Sequence, residues 1–260
     1  MIMIKNKAQQ DGIRRSANLL TKVFARIGNK ISSGISTLDI DRLVSDTIRG
    51  GGGIPAFLDY DGFPSSVCTS VNNEVIHGIP NNKPLHDGDI VGCDIGVLLN
   101  GFYSDACVTF GVGTLSESAR KLLEVTRQSL AAAIAVCKPG GRVKDIGKAI
   151  NELVEPHGYG IVHNFCGHGI GIALHEEPQI PNYYPSRGLN PRLKQGMVLA
   201  IEPMINAGGS EVEILEDGWT VVTVDGSLSA HFEHSVLITE TGAEILTSQG
   251  EEDFEINAKE

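Results

Sequence analysis

The apolar positions Ile13, Leu19, Leu20, Val23, Phe24 and Ile27 recur at three- and four-residue spacing, which predicts a helix over residues 7–27 that stops before Gly28-Asn29. A second helix opens at Ser36, where Ser36-Thr37-Leu38-Asp39 reads as a capping box. Its apolar face is Ile40, Leu43, Val44 and Ile48, and it runs out in four glycines at 50–53. Strand-like, turn-rich sequence follows to about residue 113. The order then repeats. Ser116 caps a helix over about 117–137, and Val143, Ile146, Ile150, Leu153 and Val154 mark another over 143–155 that stops at Pro156. Strand-rich sequence continues to about 247.

A finer match accompanies this order. "LHDGDIVGCDI" (85–95) lies over "LKQGMVLAIEP" (193–203), with Leu85 on Leu193, Gly88 on Gly196 and Asp94 on Glu202, a constant offset of 108. Matching element order makes an ancestral repeat the better explanation of so weak a similarity. The expectation is an α+β fold with pseudo-two-fold symmetry, in which antiparallel sheets are covered by two helix pairs. It forms a single domain with halves of about 7–113 and 114–248, followed by an acidic tail at 249–260.

Strand register then places the acids. Asn100-Gly101 is a two-residue hairpin turn, so Leu99 pairs with Phe102 and paired residue numbers sum to 201. Gly96 therefore faces Asp105, with Asp94 one diagonal step away on the same face, Cβ atoms within roughly 7 Å. Two carboxylates that close repel unless one is protonated or a cation lies between them. The missing side chain at Gly96 would leave room for that cation. A solvent-facing acidic hairpin is the alternative, but "IVGCDIGVLL" is apolar on both faces.

Glu202 ends the apolar run "GMVLAIEPMI". In "SAHFEHSVLIT", alternation puts His231, Glu233, Ser235 and Leu237 on one face. No Lys or Arg occurs between residues 196 and 240, so any buried acid there must be neutralised from elsewhere. His168, in the glycine-rich "HNFCGHGIGIALHE", adds an imidazole. One imidazole and four carboxylates form a hard-to-borderline donor set that suits Mn, Fe, Co or Zn. Five side chains could hold two ions about 3.5–4 Å apart if carboxylates bridge them.

Composition narrows the setting. No run of 18 apolar residues occurs, which excludes a membrane span by helix, and the N-terminus turns polar by residue 5 without an export signal. Cysteines 68, 93, 107, 137 and 166 are odd in number and lack C-x-x-C spacing, as expected in a reducing cytoplasm. A net charge of −11 argues against a general binder of nucleic-acid phosphates.

Taken together, "EVIHGIP" (74–80), "CDIGVLLNGFYSDACVTF" (93–110), "GHGIGIALHEEPQIPNY" (167–183), "LAIEPMI" (199–205) and "HFEHSVLIT" (231–239) resemble the methionine aminopeptidases, over about residues 8–248. Only 26 residues separate His175 from Glu202, which is similar to type I and leaves no room for the helical insertion of type II. The resemblance implies the pita-bread fold. It also implies removal of N-terminal methionine from peptides and nascent chains, by hydroxide held on two divalent ions (Co, Mn, Fe or Zn).

Asp105 and Glu233 would bridge both ions, His168 and Glu202 would complete one site, and Asp94 would chelate the other. Glu202 would also shuttle protons, His175 would stabilise the oxyanion, and His77 would position the amide. Tyr60, Phe63, Cys68, His77, His175 and Trp219 would contact the substrate. His86, His157 and His163 are left as structural imidazoles.

The chain departs from the usual type I pattern at four positions, with His231 for glutamine, Leu174 for phenylalanine, Phe63 for tyrosine and Phe57 for cysteine. These put metal tuning and pocket size in question. The expected setting is a cytoplasmic monomer, with the ribosome as a candidate partner and neither membrane nor nucleic-acid specificity. The rivals are an Xaa-Pro aminopeptidase of the same fold and a non-catalytic binding module.

Overall fold

The computed structural model describes residues 1–185 and 187–248; the acidic tail expected at 249–260 lies outside the described residues. Four α-helices form among them: α1 (Lys7–Gly28), α2 (Thr37–Gly50), α3 (Glu117–Ala135) and α4 (Val143–Val154). Three start as the capping chemistry dictates. Asn6 accepts from the Gln9 amide, Ser36 from that of Asp39 and Ser116 from that of Ala119. α4 ends against Pro156, and its last turn tightens into a 3₁₀ turn over Glu155–His157.

A nine-stranded antiparallel sheet carries the fold. Across it run Ile54–Pro55, Ile90–Leu99, Phe102–Gly111, Glu233–Ile238, Val198–Ile201, Cys166–Gly169 and Glu176–Pro181. Cys68–Val71 also borders Ile90–Leu99, and Ala243–Ile245 borders Glu233–Ile238. Two three-stranded sheets flank it: Ser229–His231 with Met204–Asn206 and Gly160–Ile161, and Val212–Ile214 with Val221–Thr223 and Glu74–Ile76.

The central hairpin has the register that its turn requires. Leu99 pairs with Phe102, Gly96 with Asp105 and Asp94 with Cys107. Asn100 (φ 52°) and Gly101 (φ 83°) both take the left-handed conformation of a tight hairpin turn.

The two faces of this sheet have different jobs. Val91, Cys93, Ile95 and Val97 bury against Leu20, Val23, Phe24 and Ile27 of α1 and Ile40, Val44 and Ile48 of α2. Leu199, Ile201, Val236 and Ile238 bury against α3 and α4 in the same way. Each fully buried Leu, Ile or Phe in these layers contributes about 1.5–3 kcal/mol before chain entropy is charged. Ser16 pins α1 to the hairpin, donating to the Val97 carbonyl at 2.9 Å beside Ser104 Oγ. The helices thus cover one face, and the alternate residues (Asp94, Asp105, Ala200, Glu233) turn toward the other.

Candidate active site

That other face holds a cavity of about 600 Å³. Tyr60, Phe63, Cys68, His77, Asp94, Asp105, His168, His175, Glu202, Trp219 and Glu233 all line it. Strand order explains the convergence. Five adjacent strands contribute, in sequence across the sheet, Asp94, Asp105, Glu233, Glu202 (one residue past its strand) and His168. Neighbouring strands lie about 4.8 Å apart, so one side chain per strand is close enough to share a cation. Cross-strand pairing sets Cys68, Asp94, Cys107 and Glu233 in a single row.

Donor atoms of Asp105, His168 and Glu233 lie within 4.8 Å of one another, and all three residues are buried. His168 Nε2 stands 3.6 Å from Glu202 Oε1. The His168 tautomer follows from its other nitrogen, which lies 2.9 Å from the Gly169 carbonyl oxygen. A carbonyl only accepts, so Nδ1 carries the hydrogen and Nε2 presents a lone pair.

The acids sit where ionisation is costly. Burial raises Asp94 to about 7. It pushes Asp105 and Glu233 well above the carboxylate range, and each is raised further by neighbouring acids, Glu233 and Asp94 for the first, Glu202 and Asp94 for the second. Glu202 is raised likewise, by burial and then by Asp94 and Asp105. Asp94 Oδ1, Asp105 Oδ1 and Glu233 Oε1 are buried without a hydrogen-bond partner. Among the described residues, no Lys or Arg lines the cavity. Clustered acids with orphaned oxygens, next to an imidazole lone pair, fit a divalent cation as the missing partner.

The other histidines are held differently. His77 takes a left-handed φ of 58°, with its ring edge-on to Phe165 at 5.8 Å and to Trp219 at 6.2 Å. Burial lowers it to about 4, as it does His168. His175 lies at the cavity mouth, its ring 4.4 Å from that of His168 and its Nδ1 2.8 Å from Tyr60 Oη. Partial burial lowers its pKa too, against the opposing charge of Asp61. Phe63 and Trp219 meet edge to face at 5.2 Å to form an apolar wall. Cys68 is buried and its thiol is raised well above the ordinary range, chiefly by burial, so it lines the wall as an inert group.

Two details differ from the strand reading. Gly96 leaves no hole, because a Cβ there would stand 2.6 Å from the Phe57 ring and 3.0 Å from Ala56. Alternation reveals that a side chain is missing but not what fills the space. Nor does His231 continue the strand of Glu233. The chain breaks at Phe232, placing His231 in a small sheet and Glu233 in the large one. His231 is absent from the cavity lining, its Nε2 is buried without a partner, and burial lowers it to about 3.

Cavity residues that the sequence does not announce include Phe165, Cys166 and Glu176. Their signal is position beside the glycine-rich bend, which is too common a feature to act on.

Comparison with known proteins follows this geometry closely. The model of metallopeptidase family M24 matches residues 11–240. The chain is 48% identical to the methionine aminopeptidase of Clostridium perfringens over 248 residues, covering 95% of this chain and 99% of that one. It is 47% identical to methionine aminopeptidase 1 of Bacillus subtilis over 247 residues, again covering 95% and 99%. The crystal structure of methionine aminopeptidase from Thermotoga maritima superposes with a TM-score of 0.92 at 43% identity, covering 95% of this chain and all of that one. A prolidase from Pyrococcus furiosus gives 0.76 at 25% identity, and this chain covers only 65% of it. The fold is thus the pseudo-two-fold pita-bread architecture, and the chain belongs to metallopeptidase family M24.

Proposed function

We propose that the chain removes the N-terminal methionine from peptides and nascent proteins by metal-assisted hydrolysis. The observation that carries this reading is one cavity in which an acid-rich donor set adjoins an apolar wall of Phe63, Cys68 and Trp219. An unbranched thioether side chain suits such a wall, and a polar or charged one does not.

A divalent cation belongs in the donor set. In our reading there are two, drawn from Co, Mn, Fe or Zn. Asp105 and Glu233 would serve both, His168 and Glu202 would hold one, and Asp94 would hold the other. When bound they supply a Lewis acid and lower the pKa of water.

The protein's own groups do the rest. Glu202, raised by burial and by Asp94 and Asp105, takes the proton from the attacking water and passes it to the leaving amine. Tyr60 Oη lies 2.8 Å from His175 Nδ1; in our reading it donates there, so that His175 carries a hydrogen on Nε2 and donates it to the carbonyl oxygen as negative charge develops. His77, neutral near pH 7, hydrogen-bonds and orients the amide. Phe57, packed over Gly96, and Leu174 both lie on the lining and trim the pocket.

Residues 7–113 and 114–248 act as halves of one catalytic domain, the first supplying Asp94 and Asp105, the second His168, Glu202 and Glu233. The same reading places the enzyme in the cytoplasm as a monomer, with nascent chains reaching it at the ribosome. All five cysteines are unpaired, as a reducing compartment leaves them.

The test is hydrolysis of Met-Ala-Ser against Xaa-Pro peptides with added cobalt or manganese. Release of methionine from the first alone is expected. Cleavage of the Xaa-Pro peptides alone would assign the cavity to a prolidase-like activity, and cleavage of neither would leave a binding module.

A further inference from the structure

A buried ion pair joins the wall of the catalytic cavity to the start of the chain. Lys5 Nζ stands 2.6 Å from Glu176 Oε2, with side-chain exposures of 1% and 4%. The second oxygen of Glu176 accepts from the backbone amides of Ile172 (2.7 Å) and Ala173 (3.1 Å). One carboxylate thus holds both ends of the turn that presents the preceding residue, His175.

Lys5 is itself clamped. Its amide donates to the Gly196 carbonyl at 2.8 Å, and its own carbonyl accepts from Gln10 Nε2 at 2.7 Å. Its stem also packs against the same turn, since a Cβ at Gly171 would stand 3.2 Å from Lys5 Cε. Lys5 does not line the cavity, whereas Glu176 does.

Stability is a poor reason for this pair. A buried salt bridge can often be exchanged for apolar groups at no loss, whereas removing one partner strands a charge. What the pair does secure is geometry. The turn over Ile172–Ala173 has no regular-strand bonding of its own beyond Gly171, which accepts from Tyr103 and donates to the Ala173 carbonyl. Without the carboxylate the two amides lose their acceptor and His175 loses its fixed approach to His168 and Tyr60.

The geometry points to Lys5 as a positioning residue. Through Glu176, it holds the Ile172–Ala173 turn so that His175 meets the scissile carbonyl. This rests on the reading that His175 acts at that carbonyl.

The experiment is a double-mutant cycle on the metal-loaded full-length protein, with Lys5→Met, His175→Gln and the pair. Lys5→Met keeps length and removes charge. It should lower kcat on Met-Ala-Ser by about 30-fold, the scale of a misplaced catalytic group. KM and calorimetric metal affinity should hardly move. In the His175→Gln background the same change should cost less than about threefold, because residues that act as a unit are not additive. Equal losses in both backgrounds would show a merely structural role and overturn the proposal.

If His175→Gln alone retains full turnover, the assignment of His175 fails and the Lys5 proposal fails with it. If His175→Gln is impaired but Lys5→Met is not, the Lys5 proposal alone fails. Should Lys5→Met not fold, Glu176→Gln serves, since its carbonyl still accepts the two amides while the lysine loses its counter-charge. Faster deuterium exchange across 170–176 with lower kcat supports the inference, and unchanged exchange and turnover refute it.

Discussion

The two halves of the molecule share a hydrogen-bonded frame and use it for different ends. Gly88 N donates to Val112 O at 2.8 Å, and Gly196 N to Ile238 O at 2.9 Å. Val112 N returns to Asp89 O, as Ile238 N does to Met197 O. Gly34 N reaches Leu85 O in one half, and Gly140 N reaches Leu193 O in the other. On this frame the first half builds an unbroken hairpin of ten paired positions, which sets Asp94 and Asp105 by register alone. The second half breaks its strands at Glu202-Pro203 and at Phe232, and the excursion between carries Trp219 and two strands of each small sheet. A continuous ladder fixes two acids rigidly. An interrupted one places an acid at a strand end and leaves chain free to wall a pocket.

The difference can be broken by comparing an acid from each half. Asp105→Ala removes a group seated in the ladder. It should weaken metal binding by more than about 100-fold, the most that a residue merely supporting a ligand costs, with turnover falling below detection. Glu202→Gln, at the strand end, should cost about 10³-fold in kcat, as for loss of a proton shuttle, while a cation still binds. Calorimetry with cobalt or manganese beside Met-Ala-Ser assays separates the two. Equal losses of metal in both variants would mean that the halves are interchangeable after all.

A pH series on chelated protein gives the next effect. Asp94, at about 7 when folded, and the other raised acids contribute stability that is full near pH 4 and lost as pH rises through their folded values. Buried His77 and His168 (about 4) and His231 (about 3) act in the opposite sense, losing stability as pH falls below about 6.5. The four acids outweigh the three histidines, so the metal-free protein should lose stability as pH rises from 6.5 to 8, by about 0.8 kcal/mol from Asp94 alone, a fall of about 2 °C in Tm. Metal-loaded protein should show no such fall, since the cation takes over the charge. A flat chelated profile between pH 6.5 and 8 would mean that the acids are neutralised by something other than a cation.

Where the ladder is regular, sequence is a good guide to structure. A turn that demands left-handed backbone at Asn100-Gly101 sets ten paired positions, and capping boxes set helix starts to the residue. Where the chain departs from regularity it is a poor one. Parity could not show that His231 and Glu233 part company at Phe232, because a break between sheets leaves the alternation of residue types intact. Nor could it show Phe57 filling the space over Gly96, or Lys5 meeting Glu176 across 171 positions. Those contacts depend on three-dimensional closure, and nothing local encodes them.

The smallest effect probes the shared frame itself. Gly88 (φ 92°) and Gly196 (φ 86°) occupy equivalent turns in nearly the same left-handed conformation. Alanine at either position carries a backbone cost of about 1–2 kcal/mol. At Gly88 that is all, since a Cβ would meet only the Thr114 carbonyl oxygen at 3.7 Å. At Gly196 the Cβ would stand 2.9 Å from Lys5 O and from Ile4, in the arm that holds Glu176. Gly88→Ala should therefore lower Tm by a few degrees and leave turnover alone. Gly196→Ala should lower Tm further and reduce kcat as well, because the equivalent turn in the second half bears on the active site. Identical losses would mean that the frame is symmetric in energy as well as in bonding, and that the arm yields freely.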